Sequence, residues 1–164
     1  MTYTIAISGF SGAGKTSLTL AVAECLDAAA VLHLDDYEYP DPSTVSADVE
    51  GWIARGLPLA THNGTTLAGE AERLCAGQSV QRPKADGMIS PTPFLVIEEP
   101  FGRARPAVAH LIDLAVVIAT PPDIALARRV GRDLGHVPRG QKLDDVVTGL
   151  RRYLEWYEAA GRAF

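Results

Sequence analysis

The stretch Gly9-Phe10-Ser11-Gly12-Ala13-Gly14-Lys15-Thr16 decides how the rest of this chain is read. It fits G-x-x-x-x-G-K-[ST], a pattern that average residue usage would place in a chain this long on the order of once in a hundred cases. The flanks agree with it. Tyr3 to Ser8 reads as a short buried strand that ends in the glycine turn, and Lys15 to about Leu26 reads as a helix with Leu18, Val22, Cys25 and Leu26 on one face. Strand, glycine loop and helix in that order make a phosphate-binding turn.

Glycines let several backbone N–H groups converge on one phosphate, and the helix N-terminus adds a favourable dipole. The motif therefore implies a nucleoside triphosphate site built from Gly9, Ser11, Gly12, Ala13, Gly14, Lys15, Thr16 and Ser17. Lys15 is expected to bridge the β- and γ-phosphates, and the Thr16 hydroxyl to ligate Mg²⁺. ATP and Mg²⁺ are the expected cofactors.

Outward from this loop, further apolar runs alternate with helical stretches. Ala30 to Leu34 is a strand cut off by Asp35-Asp36, Phe94 to Ile97 a third fenced by prolines, and Leu114 to Ala119 a fourth. Helices are expected over Val45–Arg55, Leu67–Cys75, Pro122–Arg132 and a last one striped with Leu143, Val146, Val147, Leu150, Leu154 and Tyr157, with a loop over Asp133–Gly140. Strands that are apolar throughout and alternate with helices imply an α/β fold, an open parallel sheet with helices on both faces. No repeat or long linker divides the 164 residues, so a single domain over 1–164 is expected.

Composition narrows the function classes. Hydrophobic residues are 47% and charged residues 21%, a globular balance. The net charge of −5 argues against a nucleic-acid coat protein. It is uneven: residues 1–99 hold 5 Lys/Arg and 13 Asp/Glu, a balance of −8, whereas residues 100–164 hold 10 and 7, a balance of +3. No apolar run reaches the roughly 18 residues of a membrane span, no secretory signal is visible, and Cys25 and Cys75 match no metal spacing. A cytoplasmic protein with no membrane or nucleic-acid partner is the expectation.

In a parallel sheet, ligands gather beyond the carboxyl ends of the strands. Asp35 and Asp36 end one strand and Glu98 and Glu99 another. A carboxylate in that place either takes a proton from an attacking hydroxyl or holds Mg²⁺. Arg128, Arg129, Arg132 and Arg139 fall within 12 residues beside a Gly/Pro loop, the composition of a lid that brings guanidinium forks onto phosphate oxygens. His33, two residues before Asp35 on a strand, reads as a packed or hydrogen-bonded core histidine; His62, His110 and His136 form no ligand spacing, and Trp52 reads as a helix anchor.

These residues resemble the uridine kinase and nicotinamide riboside kinase group of P-loop small-molecule kinases. The similarity runs from Ile7-Ser8-Gly9 through Thr16, to Leu32-His33-Leu34-Asp35-Asp36-Tyr37, to Ala119 through Asp133, and to Tyr153-Leu154-Glu155-Trp156-Tyr157. The resemblance implies strand order 2-3-1-4, with the family's fifth strand missing from these residues. It implies Asp35 as the base toward an acceptor hydroxyl, Glu98 with Thr16 at the magnesium, and Lys15, Arg128 and Arg132 as catalytic cations. Asp36, Tyr37, Lys84, Asp86 and Arg129 follow as substrate candidates.

Two departures stand out. The family's Pro-x-Tyr-Asp-Phe is here Pro83-Lys84-Ala85-Asp86-Gly87, without an aromatic, and its Glu-Gly is Glu98-Glu99. The expected activity is ATP-dependent phosphorylation of a small metabolite's hydroxyl, with a nucleoside first in line. Pantothenate, a sugar or an antibiotic are the alternatives, as is nucleotide binding without transfer.

Overall fold

A computed structural model describes residues 2–27, 29–37, 49–57, 59, 61–62, 64–135, 144, 147–151 and 154–155. Four strands form one parallel sheet: β1 (Tyr3–Ser8), β2 (Ala30–His33), β7 (Phe94–Glu98) and β8 (Leu114–Val117). Their spatial order is β2-β7-β1-β8. Counted along the sheet's own strands this is second, third, first, fourth, the order the resemblance implies. β1 takes the centre because every one of its residues after Tyr3 is buried. In register, Ile7 lies beside Glu98 and His33 beside Glu98 on the other side.

Period-two alternation splits the strands' side chains between two faces. On one face Ile5, Ile7 and Val96 pack with Leu18 and Val22 of α1 (Lys15–Cys25) and with Leu26 just past its end. On the other, Ala6, Leu32, Leu95 and Ile97 meet Leu67, Ala71 and Leu74 of a later helix, Leu67–Cys75, and Val108 of a short one, Pro106–Ala109. Cys25, expected on the packed face of α1, is exposed. Burying each Leu or Ile is worth about 1.5–3 kcal/mol, so the sheet's two faces carry the core.

The remaining elements follow chain order. α2 (Val49–Ala54) lies within the expected 45–55 helix, whose residues 45–48 lie outside the described ones. Two small antiparallel hairpins, β3 (Thr61–His62) with β4 (Thr65–Thr66) and β5 (Val80–Gln81) with β6 (Met88–Ile89), have strands too short to show alternation in sequence. α3 (Leu67–Cys75) has the expected bounds, with Thr66 Oγ1 accepting from the Gly69 N–H as its N-cap. α4 (Pro106–Ala109) starts on a proline.

α5 (Pro122–Gly135) runs three residues past the expected end at Arg132. The expected loop over Asp133–Gly140 is therefore helix through Gly135, because Asp133 pairs one turn back with Arg129 at 2.6 Å. Residues 136–140, and with them Arg139, lie outside the described residues. Of the last expected helix, residues 147–151 and 154–155 are helical, but Val147 and Leu154 are 38% and 39% exposed rather than core. Leu143, Val146 and Tyr157 are outside the described residues. Among the described residues no helix is long and apolar enough to cross a membrane.

Candidate active site

The phosphate loop joins β1 to α1 and is shaped by its glycines. Gly14 caps α1 with φ +104, a left-handed conformation that leaves the first-turn N–H groups without a side-chain cap. No acidic residue occupies that turn, so none of its own side chains competes with an anion there. Gly12 is forced by contact. At φ +87, a Cβ on it would lie 2.0 Å from the carbonyl oxygen of Ala125, on α5. Helix α5 thus rests directly on the loop.

A cleft of about 230 Å³ opens over this loop, lined by Ser11, Gly12, Gly14, Lys15, Thr16, Ser17, Asp35, Glu98, Arg128 and Arg132. Residues far apart in sequence meet here because three strand ends share one sheet edge. Gly9 and Ala13 lie behind the lining. The Gly9 N–H donates to the carbonyl of Pro100 at 3.2 Å, and the Ala13 N–H to that of Phe10 at 3.0 Å. They shape the loop rather than face the cleft.

Lys15 is buried, its Nζ donating to the Phe10 carbonyl at 3.1 Å. Burial lowers its ammonium below the usual lysine value, partly offset by the charges of Glu98 and Asp35. The Thr16 hydroxyl donates to Glu98 Oε1 at 2.8 Å, and His33 Nδ1 lies 2.6 Å from Glu98 Oε2. Burial pushes the Glu98 carboxyl up, but the hydrogen bonds from His33 and Thr16 and the charges of His33 and Lys15 outweigh it and hold the group low. The bond to Glu98 in turn raises His33 against its own burial.

His33, expected as a packed or hydrogen-bonded histidine two residues before Asp35, is half-buried and bonded to Glu98; its partner follows from the parallel register of β2 with β7.

Asp35 follows β2 in a single 3₁₀ turn, Leu34–Asp36. Leu34 is buried below it, the Tyr37 N–H donates back to the Leu34 carbonyl at 2.9 Å, and Lys84 Nζ donates to the Asp35 main-chain oxygen. Lys84, from the β5–β6 turn, therefore holds the backbone of Asp35. Asp86 in the same turn is exposed and Asp36 half-buried, both outside the cleft lining.

Tyr37 and Arg129 depart from expectation. Tyr37 is fully buried, and its hydroxyl donates to Glu70 of α3 rather than facing the cleft, because the apolar ring belongs to the core. Arg129 is not among the cleft-lining residues; it donates to Ser11 Oγ at 2.8 Å and Asp133 Oδ2 at 2.6 Å. Helical spacing explains the split: Arg128 and Arg132, four apart, share the face that looks into the cleft.

The donor set suits a hard divalent cation with a triphosphate. Thr16 and Glu98 place two oxygens side by side, and Mg²⁺ characteristically takes one or two protein ligands together with phosphates and water. Among the described residues no group of three or more His, Cys, Asp or Glu forms an all-protein cage.

Comparison with known proteins agrees with this geometry. Residues 69–160 match the Phosphoribulokinase / Uridine kinase family. A uridine kinase of Chloroflexus aurantiacus is 28% identical over an alignment of 174 residues, covering 96% of this chain and 82% of that protein. A uridine kinase of Bacillus mycoides is 29% identical over 154 residues, covering 87% and 71%. In fold, the crystal structure of a provisionally named fructose transport system kinase from Silicibacter sp. TM1040 superposes with a TM-score of 0.53 at 19% identity, over 96% of this chain and 85% of that one. With a phosphate loop, a 2-3-1-4 parallel sheet and more than half its length matched, the chain belongs to the Phosphoribulokinase / Uridine kinase family and is an ATP-dependent small-molecule kinase.

Proposed function

We propose that the protein transfers the γ-phosphoryl group of MgATP to a hydroxyl of a nucleoside, with Asp35 as the base. The observation that carries this reading is the convergence of Asp35, Lys15, the Thr16–Glu98 pair and two arginines on one cleft. The triphosphate lies along the N–H groups of Ser11 to Thr16, and Lys15 reaches its β- and γ-oxygens. Magnesium, when bound, neutralises charge between those phosphates, and Thr16 and Glu98 are the residues that hold it. Asp35 accepts the hydroxyl proton as the oxygen attacks phosphorus, and Arg128 and Arg132 steady the charge on the moving group. The nucleoside acceptor is supported by the uridine kinases among the relatives.

The test is ADP release against a panel of nucleosides, pantothenate, sugars and aminoglycosides, with Asp35→Asn beside the wild type. Turnover on nucleosides that falls by about 10³-fold or more in Asp35→Asn, with ATP affinity kept, is the expected result. A preference for another acceptor class moves the substrate while keeping the mechanism. ATP binding with no transfer to any acceptor removes the transferase reading.

A further inference from the structure

Glu99 stands where the family's pattern has glycine, and it is not in the cleft. One residue beyond Glu98, it falls on the opposite face of the sheet. There it is fully buried against an equally buried Arg105, with Nε 2.6 Å from Oε1. Its second oxygen accepts from the Phe101 N–H at 2.9 Å. Arg105 Nη1 donates to the main-chain oxygen of Leu57, a residue in left-handed conformation at φ +55. The guanidinium also lies 5.3 Å from the Trp52 ring and 5.0 Å from the Phe101 ring, which meet edge to face at 5.4 Å.

These contacts tie two places that the mechanism requires to be in register. One is the carboxyl end of β7, joined to the root of the phosphate loop by Glu99 N–H to Ile7 O and Gly9 N–H to Pro100 O. The other is the segment 49–57, which follows β2 and Asp35 in the chain and carries α2. A buried ion pair gives little net stability over apolar residues of equal volume; what it gives is one geometry. We infer that Glu99 and Arg105 are positioning residues that fix the Trp52–Leu57 segment against the end of β7 and so shape the acceptor side. This inference rests on the function proposed above for its acceptor, and on the fold alone for the brace.

The test pairs two readouts in the full chain. The first is amide hydrogen exchange of residues 49–57, whose own bonds include Leu57 N–H to Trp52 O at 3.1 Å. The second is a kinetic split between uridine and ATP. In Glu99→Leu/Arg105→Met, an apolar pair that leaves no orphan charge, exchange of 49–57 should quicken about tenfold or more while the phosphate loop is unchanged. The uridine KM should rise about tenfold, with ATP affinity within about twofold. Glu99→Gln, which keeps the shape and the bond from Phe101, shows the same pattern at smaller amplitude and serves if the double variant does not fold. Unchanged exchange in 49–57, or an unchanged uridine KM in a folded variant, overturns the inference. A wild type inactive on every nucleoside sinks the function reading separately, and exchange still decides the brace.

Discussion

The Thr16 hydroxyl donates to Glu98 Oε1 at 2.8 Å, joining the first turn of α1 to the carboxyl end of β7. One bond thereby links the helix after the phosphate loop to the strand that lies beside β2. His33 holds the other carboxylate oxygen, so Glu98 has one orientation before any ligand arrives. Preorganised groups cost no rearrangement at the moment of reaction, which is where their catalytic value lies.

Removing either end of that bond should raise the magnesium requirement. Thr16→Ala and Glu98→Gln are expected to increase the Mg²⁺ concentration for half-maximal turnover on the order of 10–100-fold. The measurement is a magnesium titration at saturating ATP. Equal half-maximal concentrations in wild type and both variants would exclude the pair from the metal.

The His33–Glu98 bond has a pH window whose sign is fixed by the two shifts. His33 is raised from 6.5, so its contribution is full below that value and fades as pH climbs through the folded-state value. Glu98 is lowered from 4.5, so its contribution is full above that value and fades as pH falls through the folded-state value. In metal-free protein the Tm deficit of His33→Ala should be largest between about pH 4.5 and 6.5 and shrink by pH 9. A deficit that does not change with pH would mean the imidazole acts by packing alone.

The two phosphate-loop glycines should respond differently to alanine. At Gly12 the added Cβ meets the Ala125 carbonyl at 2.0 Å, whereas at Gly14 nothing lies within 4 Å and only the φ of +104 resists. Gly14→Ala is expected to cost about 1–2 kcal/mol of backbone strain. Gly12→Ala should cost about 3 kcal/mol or more, since backbone must move as well. Denaturant melts rank them, and a Gly12→Ala protein as stable as Gly14→Ala would show that α5 does not press on the loop.

The arginines divide by face. Arg128→Ala and Arg132→Ala should lower kcat about 10²-fold or more, with ATP affinity little changed. Arg129→Ala should instead weaken ATP binding about tenfold, because it frees Ser11. Combining it with Ser11→Ala should add little, a non-additivity that marks two residues acting through one bond. Full additivity in calorimetric ATP affinity would break that link.

How much of this was legible depends on how local the cause is. The glycine loop, the four strands and their order follow from patterns within a few residues or from resemblance, and Asp35, Glu98, Arg128 and Arg132 do line one cleft. The pairings are what sequence hides. Whether Arg129 faces the ligand or the loop turns on its place around a helix, and Glu99 reads as a second site carboxylate until strand parity sends it to the other face. Arg105 gives no local sign of being buried, since its partners at 99, 57 and 52 come together only in the fold. The extension of α5 through Asp133 follows from an i, i+4 pair that a Gly/Pro-rich neighbourhood masks.

Tyr37 offers the sharpest separation of a positioning role from a structural one. Two residues after Asp35, its buried hydroxyl donates to Glu70, itself buried on α3. Burial, then the bond and charge of Glu70, push its phenol far up, so it stays a donor at any working pH. Tyr37→Phe leaves the Glu70 carboxylate unsatisfied and should cost about 1–3 kcal/mol, while Tyr37→Phe/Glu70→Leu removes both partners and should recover most of that stability. If the pair merely supports the core, kcat returns with stability in the double variant. If it fixes the 3₁₀ turn that carries Asp35, kcat stays low in the restored protein while ATP affinity matches wild type. Melting temperature and single-turnover rate, measured on the same three proteins, decide between the two.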